Sequence, residues 1–233
     1  MNSAPQIRSF LTLLVIVLCL GWLATPPPLQ AAGGAYAVDD VEVGAPGSCK
    51  IETWGSFADN RDWIGVMSPA CVVNLLKPVE LTGQASRFRT DGDLGASFNL
   101  KAKLNLVPVE VGKVGLGIAG GGFFDLVTGD SNGAFATVPV TFAITSSFRI
   151  NLNAGWVYQT IDNRHLGFYG AGFEWNFVKP LTLIAEVYGF ANSDAREPRF
   201  QAGLPIRPTS PWTSTSSMAA ILVVRTPTGL QSG

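Results

Sequence analysis

The residues best suited to chemistry are isolated charges that alternate with apolar side chains. Lys101 and Lys103, for example, flank Ala102 within the sequence LKAKL. On a β-strand, whose side chains alternate with a period of two, such charges share one face. The candidates placed in this way are Glu80, Lys101, Lys103, Arg149, Glu174 and Glu186. Inside a barrel, charges of this kind set the selectivity for solutes, and we predict that they line a lumen. The alternative is that they neutralise one another in a plugged, structural barrel, because side chains can fill a small interior.

An enzyme is a second class of function that the sequence must be tested for. His165, the only histidine, follows Asp162 and Asn163 in a predicted loop, and no serine lies near it in the sequence. Hydrolysis by a serine and a histidine needs the two side chains within hydrogen-bond reach. We therefore predict no catalytic residue and no cofactor. Two cysteines and one distant histidine also make no metal site.

Residues 1–32 have the layout of a secretory signal peptide. Arg8 supplies the positive charge, an apolar run extends from Phe10 to Leu23, and the small residues Ala31 and Ala32 follow. The run is shorter than the roughly 20 residues that a membrane-spanning helix needs. We predict cleavage near Ala32 and export from the cytoplasm.

Cys49 and Cys71 remain after the signal peptide, with Cys19, has been removed. An exported protein meets an oxidising compartment, in which disulfides persist. If the first loop turns about Asn60, residues whose numbers sum to 120 lie opposite each other, and these two cysteines satisfy that condition. The sequence thus predicts a cross-strand disulfide, and the alternative is two free thiols.

Seven segments between Val79 and Val187 alternate apolar and polar residues with a period of two. The cleanest is Leu94–Leu106, in which a leucine, alanine or phenylalanine occupies every second position. Two weaker segments, Ser48–Phe57 and Trp63–Leu75, and a short one, Arg199–Leu204, raise the number of strands to about ten. Many approach the roughly 9–11 residues of a tilted membrane strand. Residues 33–204 are therefore predicted to form an all-β, antiparallel up-and-down transmembrane β-barrel.

A soluble periplasmic β-sandwich that binds a ligand is the alternative fold, and two features argue against it. The polar faces of the strands carry mostly Gly, Ser, Thr and Asn, which suit a narrow lumen better than a water-exposed face. The joins between strands also alternate in character. Short turns fall at Lys77-Pro78, Val107-Pro108, Ser146-Ser147 and Lys179-Pro180, and polar loops fall between them.

The charge balance restricts the partners. The 16 Lys and Arg residues nearly balance the 17 Asp and Glu residues, and no basic cluster is present, so nucleic-acid binding is not expected. The predicted location is the bacterial outer membrane. The predicted partners are outer-membrane lipid, the barrel-assembly machinery and a small-molecule solute.

Residues 205–233 do not continue the alternation and are rich in Pro, Ser and Thr. Two explanations remain open: a disordered linker, or a change of reading frame just after Leu204. In the shifted frame the codons of Trp212-Thr213 and Met218-Ala219 encode Asp and Gly, and the surrounding codons permit alternating strands. The frame-restored barrel would have about 12 strands, and the present chain would have an open edge.

The segments Leu181–Phe190 (LTLIAEVYGF) and Arg199–Leu204 (RFQAGL) carry a family resemblance. The chain resembles outer-membrane β-barrel proteins assigned to the MetA pathway of phenol degradation. That resemblance implies a barrel that passes small, apolar or aromatic compounds, and it brings no catalytic motif. The predicted function is accordingly a passive channel or uptake barrel for small solutes.

Overall fold

A computed structural model describes residues 37–57, 61–90, 92–178, 181–192, 198–206 and 214–220. The predicted signal peptide lies outside these residues. Within them no helix is long and apolar enough to cross a membrane. The strands are β1 (Cys49–Phe57), β2 (Trp63–Asn74), β3 (Pro78–Thr90), β4 (Asp93–Val107), β5 (Val114–Asp125), β6 (Ser131–Ala143), β7 (Phe148–Gln159), β8 (Arg164–Val178), β9 (Leu181–Ala191), β10 (Arg199–Ile206) and β11 (Ser214–Ala220).

From β1 to β11 each strand pairs antiparallel with the next one along the chain. The sheet closes where β11 also pairs with β1, in parallel. An up-and-down sheet with an odd number of strands begins and ends in the same direction, so its closing pair has to be parallel. The predicted all-β, up-and-down barrel of about ten antiparallel strands is confirmed, and a two-sheet sandwich is not what forms.

Strand β11 lies within residues 205–233, where the sequence predicts a tail and an open edge. It pairs with β1 from Cys49↔Ser214 to Gly55↔Ala220. Backbone pairing of this kind needs no apolar alternation, only extended residues with free amide and carbonyl groups. The period-two alternation therefore could not predict this strand.

The two ends of the barrel are distinguished by their joins. We call the end at which β1 begins the proximal end; it carries the β2–β3, β4–β5, β6–β7 and β8–β9 joins, and the distal end carries the β1–β2, β3–β4, β5–β6, β7–β8 and β9–β10 joins. The joins alternate as predicted, but their lengths do not separate the ends. The β4–β5 join, residues 108–113, is longer than the distal β3–β4 join, residues 91–92.

Several strands are longer than the alternation indicates. β5 continues through Gly120–Gly122 to Asp125, and β8 begins at Arg164, nine residues before the predicted segment at Phe173. In these stretches the inward positions hold glycine or apolar side chains in place of polar ones. Apolar and polar residues therefore no longer alternate along the strand. The period-two signal fails there because both faces are apolar or small.

In the proximal half of the barrel the usual distribution of side chains is inverted. The outward Leu81 and Leu100 are about half exposed, at 47% and 50%, whereas the inward Glu80 and Lys103 are 2% and 0% exposed. The register places Glu80 opposite Lys103 and Leu81 opposite Ala102, so each pair shares one face. The strands therefore turn a polar face inward and an apolar face outward.

The predicted disulfide between Cys49 and Cys71 is confirmed. The two residues are direct partners in the β1–β2 register, with their Cα atoms 4.1 Å apart. Both side chains lie on the outer face near the proximal end. The link ties β1 to β2 where the chain leaves the barrel interior and enters the wall.

Candidate functional site

A six-residue segment, Ala37–Glu42, lies inside the barrel ahead of β1, and we call it the inner segment. It is not a strand of the sheet. Its residues contact side chains of the consecutive strands β4 to β9, and Val38, Asp40 and Val41 are buried. The segment thus occupies the interior that a hollow barrel would leave to water.

Side chains from the wall, or from the segment itself, accept a hydrogen bond from every backbone amide of the inner segment. The amides of Ala37 and Val38 donate to the two carboxylate oxygens of Glu186, at 2.8 and 2.9 Å. Asp39 donates to Asn153 Oδ1 and Val41 donates to Thr141 Oγ1. The remaining two amides, of residues 40 and 42, donate to aspartate side chains of the segment. A buried backbone without these partners would be costly, so the wall is built to receive this chain.

Two lysines of β4 bind the acidic side chains of the inner segment. Lys101 Nζ lies 2.7 Å from Asp39 Oδ2, and Lys103 Nζ lies 3.1 Å from one carboxylate oxygen of Asp39 and one of Asp40. Lys103 is fully buried. A buried ammonium is tolerated only where carboxylates surround it closely, as they do here.

Arg149 of β7 organises a second cluster of charges. Its guanidinium donates to Glu174 Oε2 at 2.7 Å and to Glu42 Oε2 at 2.8 Å, and it lies 3.6 Å from Asp40 Oδ2. Asn151 donates to the other oxygen of Glu174 at 2.8 Å. One arginine therefore connects β7, β8 and the inner segment.

The six predicted charges all lie on the inner face, and each joins this network. Glu80 lies 3.3 Å from Lys50 and 4.0 Å from Lys103. Glu186 holds the start of the inner segment and accepts a short hydrogen bond from Gln201. None of the six faces the outside of the barrel. Their role in solute selectivity stays a prediction, because in this structure their partners are one another and the inner segment.

The network changes the protonation of the segment's acids. Burial raises the pKa of Asp39, but Lys101 and Lys103 outweigh it and hold the pKa below the ordinary value. The pKa of Asp40 is lowered in the same way, with burial opposed by Lys103 and Arg149. Burial raises the pKa of Glu42, and Arg149 compensates only in part. The two aspartates are therefore the anions that anchor the segment.

Glycines of the wall bring the inner segment close to the backbone. A Cβ atom on Gly117 of β5 would lie 3.6 Å from Val41 Cα, and one on Gly170 of β8 would lie 2.6 Å from Val38 Cγ2. Real Cβ atoms do not approach so closely as the second distance. Gly170 therefore leaves the space that the side chain of Val38 occupies.

On the side formed by β5 to β9, the distal half of the interior is apolar. Val157, Leu166 and Phe168 form a buried cluster, and Ala37 of the inner segment packs against it. Around this cluster lie Phe123, Phe135, Tyr188 and Phe190; the rings of Phe123 and Phe135 stack at 5.2 Å, and Phe168 contacts the other two rings. We call the region lined by these seven wall residues the distal chamber.

The chamber is not completely filled by its own side chains. Phe123, Phe135, Tyr188 and Phe190 point inward yet remain partly exposed. Partial exposure of a side chain on the inner face means that open space adjoins it. The chamber is thus lined mainly by aromatic side chains, and Ala37 packs at its base.

His165 lies among aromatic side chains. It lies on the outer face near the distal end, where Trp156 Nε1 donates to its Nδ1 at 3.1 Å and the ring of Tyr158 is 5.0 Å away. Among the described residues no group of three or more His, Cys, Asp or Glu side chains is arranged to hold a metal ion.

Sequence reasoning missed the inner segment and the distal chamber. The run Asp39-Asp40-Val41-Glu42, three acids in four residues just after the predicted cleavage site, was one available signal. The inward glycines of β5 were another, because glycine in a strand often marks a close approach of another chain segment. The chamber residues gave no period-two signal, since their strands are apolar on both faces there.

The fold and the interior define a class: a closed, up-and-down β-barrel whose proximal half is filled by its own N-terminal segment. Residues 21–218 match the family described as uncharacterised conserved protein UCP029691, and the chain belongs to that family. No curated protein and no solved structure matches the chain.

Proposed function

We propose that this protein is an outer-membrane β-barrel that takes small, apolar or aromatic solutes into its interior. The observation that carries the proposal is the outer face of the wall. Large apolar side chains on it are about 40–60% exposed on strand after strand, including Leu81, Leu94, Leu100, Ile118, Leu152, Trp175 and Val187. A continuous apolar surface of this size favours lipid over water.

The outward aromatic residues support the same arrangement, because they form two groups. Phe148, Trp175 and Phe177 lie toward the proximal end, and Trp156 and Tyr158 lie toward the distal end. Phe148 and Tyr158 are ten positions apart on β7. With a rise of about 3.3 Å per residue and the usual tilt of membrane strands, they span about 25 Å along the barrel axis. Membrane barrels have aromatic girdles at that spacing.

The distal chamber supports the solute class. Its wall offers rings and aliphatic side chains, and the hydroxyl of Tyr188 has no hydrogen-bond partner among the described residues. An uncharged apolar or aromatic molecule fits such a surface, whereas a charged solute would lose its hydration without compensation. The resemblance to barrels of phenol degradation favours the same class of solute.

Membrane location is tested by expressing the chain in a Gram-negative host and fractionating the cells. We expect the protein in the outer-membrane fraction, with gel mobility that changes on heating. Leu152→Arg places a charge in the outward band, which costs membrane barrels about 2–4 kcal/mol, and should reduce the inserted fraction. Val127→Arg, in the β5–β6 join and already 74% exposed, is the matched control. Recovery of the unaltered chain in the soluble periplasm would overturn the proposal.

Solute binding is tested with the fluorescent probe N-phenyl-1-naphthylamine and the purified protein in detergent. Phe135 and Phe142 lie on the same strand, β6, but on opposite faces. Phe135→Ala should weaken probe binding several-fold because it removes a ring from the chamber, and Phe142→Ala should not. Equal effects of the two substitutions would place the probe on the outer surface and contradict the chamber as the binding site.

A structural barrel without transport is the second candidate, and the ion-pair network favours it. Lys103, Arg149, Glu80 and Glu174 are all at most 4% exposed, so the proximal half offers little to a passing solute. This candidate predicts no saturable probe binding in the chamber. The Phe135 and Phe142 pair of variants therefore also decides between the two functions.

A further inference from the structure

We infer that the inner segment is a gate: it closes the proximal half of the barrel at rest, and its withdrawal opens a path from the distal chamber to the proximal end. The inference rests on the proposed membrane location and goes beyond it, since it replaces a passive pore with a gated one. Its basis is the way in which Ala37–Glu42 is held.

The segment is held entirely by side chains. Its amides bond to Glu186, Asn153, Thr141 and its own aspartates, and none pairs with a strand. Withdrawal would therefore leave all the ladder hydrogen bonds of the wall in place. A strand of the barrel has no such freedom, because its removal would expose two edges.

The chain next to the segment has the composition of a hinge. Residues 44–47, with the sequence GAPG, are exposed, and Gly47 has a φ of 80°, which favours glycine. From Ala45 on the chain is fixed, because Ser48 donates to Ala45 O, the amide of Gly47 donates to Val72 O at 2.8 Å, and the disulfide follows at Cys49. Rotation about Gly44, just before this held turn, moves the inner segment without moving β1.

The lock of the gate is electrostatic. Asp39 and Asp40 reach Lys101 and Lys103, and Glu42 reaches Arg149. In the proximal half the wall is balanced in net charge without the segment, since the inward Lys50, Lys101, Lys103 and Arg149 equal in number the inward Glu52, Glu80, Glu174 and Glu186. An open barrel is therefore balanced in charge and can admit water, whereas the closed one carries three additional carboxyl groups.

The far end of the gate meets the solute site. Ala37 packs against the Val157, Leu166 and Phe168 cluster, so a molecule that enters the distal chamber contacts the start of the inner segment. Occupation of the chamber and seating of Ala37 compete for the same apolar surface. A solute that displaces Ala37 removes the contact between Ala37 and the cluster and so destabilises the closed state. Solute binding is thereby coupled to opening.

The test is conductance in a planar bilayer at about 0.15 M KCl, close to physiological ionic strength. The unaltered protein should be closed for most of the time. Asp39→Asn with Asp40→Asn removes the charge-assisted bonds and should raise the open fraction by about tenfold or more. Glu110→Gln is the matched control, because Glu110 pairs with Lys113 in an exposed proximal turn. It should leave conductance unchanged.

A covalent lock shows whether the segment itself blocks the path. Val41→Cys with Gly117→Cys is the pair to use, because the segment and the wall come close there and the Cβ site of Gly117 lies 3.6 Å from Val41 Cα. The pair is added to the D39N/D40N variant with Cys49 and Cys71 replaced by Ser. Oxidation should abolish the gained conductance, and reduction should restore it.

Three results would overturn the gate. The first is equal conductance of the unaltered and D39N/D40N proteins when both are inserted and heat-modifiable. The second is conductance that persists in the oxidised V41C/G117C lock. The third, failure of the unaltered protein to insert, would overturn the proposed membrane location together with the gate, whereas the first two leave that location standing.

Discussion

The proximal and distal halves of this barrel enclose opposite chemistries with the same wall. In the proximal half the inward residues include the charged Lys103, Arg149, Glu80 and Glu174, all buried and all paired. In the distal half the inward residues of β5 to β9 are mainly aromatic or aliphatic, and several are partly exposed. The inner segment crosses the boundary, with Ala37 on the apolar side and Asp39 to Glu42 on the charged side.

The difference shows how the proposed binding surface and the proposed gate can share one barrel. Charge pairs are directional and need complete partners, so the proximal half suits a chain segment that supplies matching charges. Apolar burial is non-directional, so in the proposed function the distal chamber takes small apolar molecules of more than one shape. The proposed binding site and the proposed gate then lie in line along one axis.

The largest effect is expected from breaking the proximal charge network. Arg149→Met leaves Glu174, Glu42 and Asp40 without their guanidinium and should lower the free energy of unfolding by about 3–5 kcal/mol. Unfolding in urea, followed by the heat-dependent gel mobility, measures it. Lys113→Met removes one member of an exposed ion pair and should have little effect. Similar losses for the two variants would mean that the buried network is no more important than a surface pair.

A somewhat smaller effect is expected from the disulfide, which fastens only the proximal end. Cys49→Ser with Cys71→Ser opens a link across 22 residues, for which chain entropy predicts a loss of about 3 kcal/mol. Hydrogen exchange should accelerate in β1 and β2 near the proximal end and stay unchanged in the distal half of β7. Uniform acceleration along the barrel would contradict a local fastening.

In the distal half the loss should depend on volume. Leu166→Ala removes a side chain that is 4% exposed and should cost about 2–3 kcal/mol in the free energy of unfolding. It should also enlarge the chamber and change probe binding. Leu152→Ala, on the outer face and 49% exposed, is the control and should change neither quantity in detergent. A larger loss at Leu152 than at Leu166 would reverse the assigned faces.

The smallest effect is expected from pH. The pKa values of Asp39 and Asp40 are lowered from 3.8, so their contribution is complete above that value and is lost as the pH falls through the lowered values. Glu42 has a raised pKa and is therefore protonated at a higher pH than the two aspartates. Its protonation causes no such loss of stability. The charged groups that face these acids are Lys50, Lys101, Lys103, Arg149, Glu52, Glu80, Glu174 and Glu186.

The protection factors of amides 37–42, which correct exchange rates for their intrinsic pH dependence, should accordingly stay high from pH 7 to about pH 5 and fall below about pH 4. The D39N/D40N variant should lack this transition. Release of the segment between pH 7 and pH 5 would show that other groups hold it.

The parts of the fold that follow from local patterns were predictable. Alternation gave the ten strands and the inward placement of Lys101, Lys103 and Arg149, because side chains on a strand alternate whatever the strand pairs with. The disulfide followed from counting across one hairpin. The distal part of β8 was not predicted. Its inward residues Leu166 and Phe168 are apolar, so the inward and outward faces of the strand do not differ in polarity there.

What the sequence determined by itself is the wall: strand number, faces and the β1–β2 link, all set by contacts between neighbours in the chain. What only the tertiary structure decided is the content of the barrel. Ala37 reaches Glu186 across 149 residues and Asp39 reaches Lys101 across 62. Such pairs form only when the closed sheet brings distant strands around one axis. A chain of balanced charges cannot reveal from its order which carboxylate will meet which ammonium.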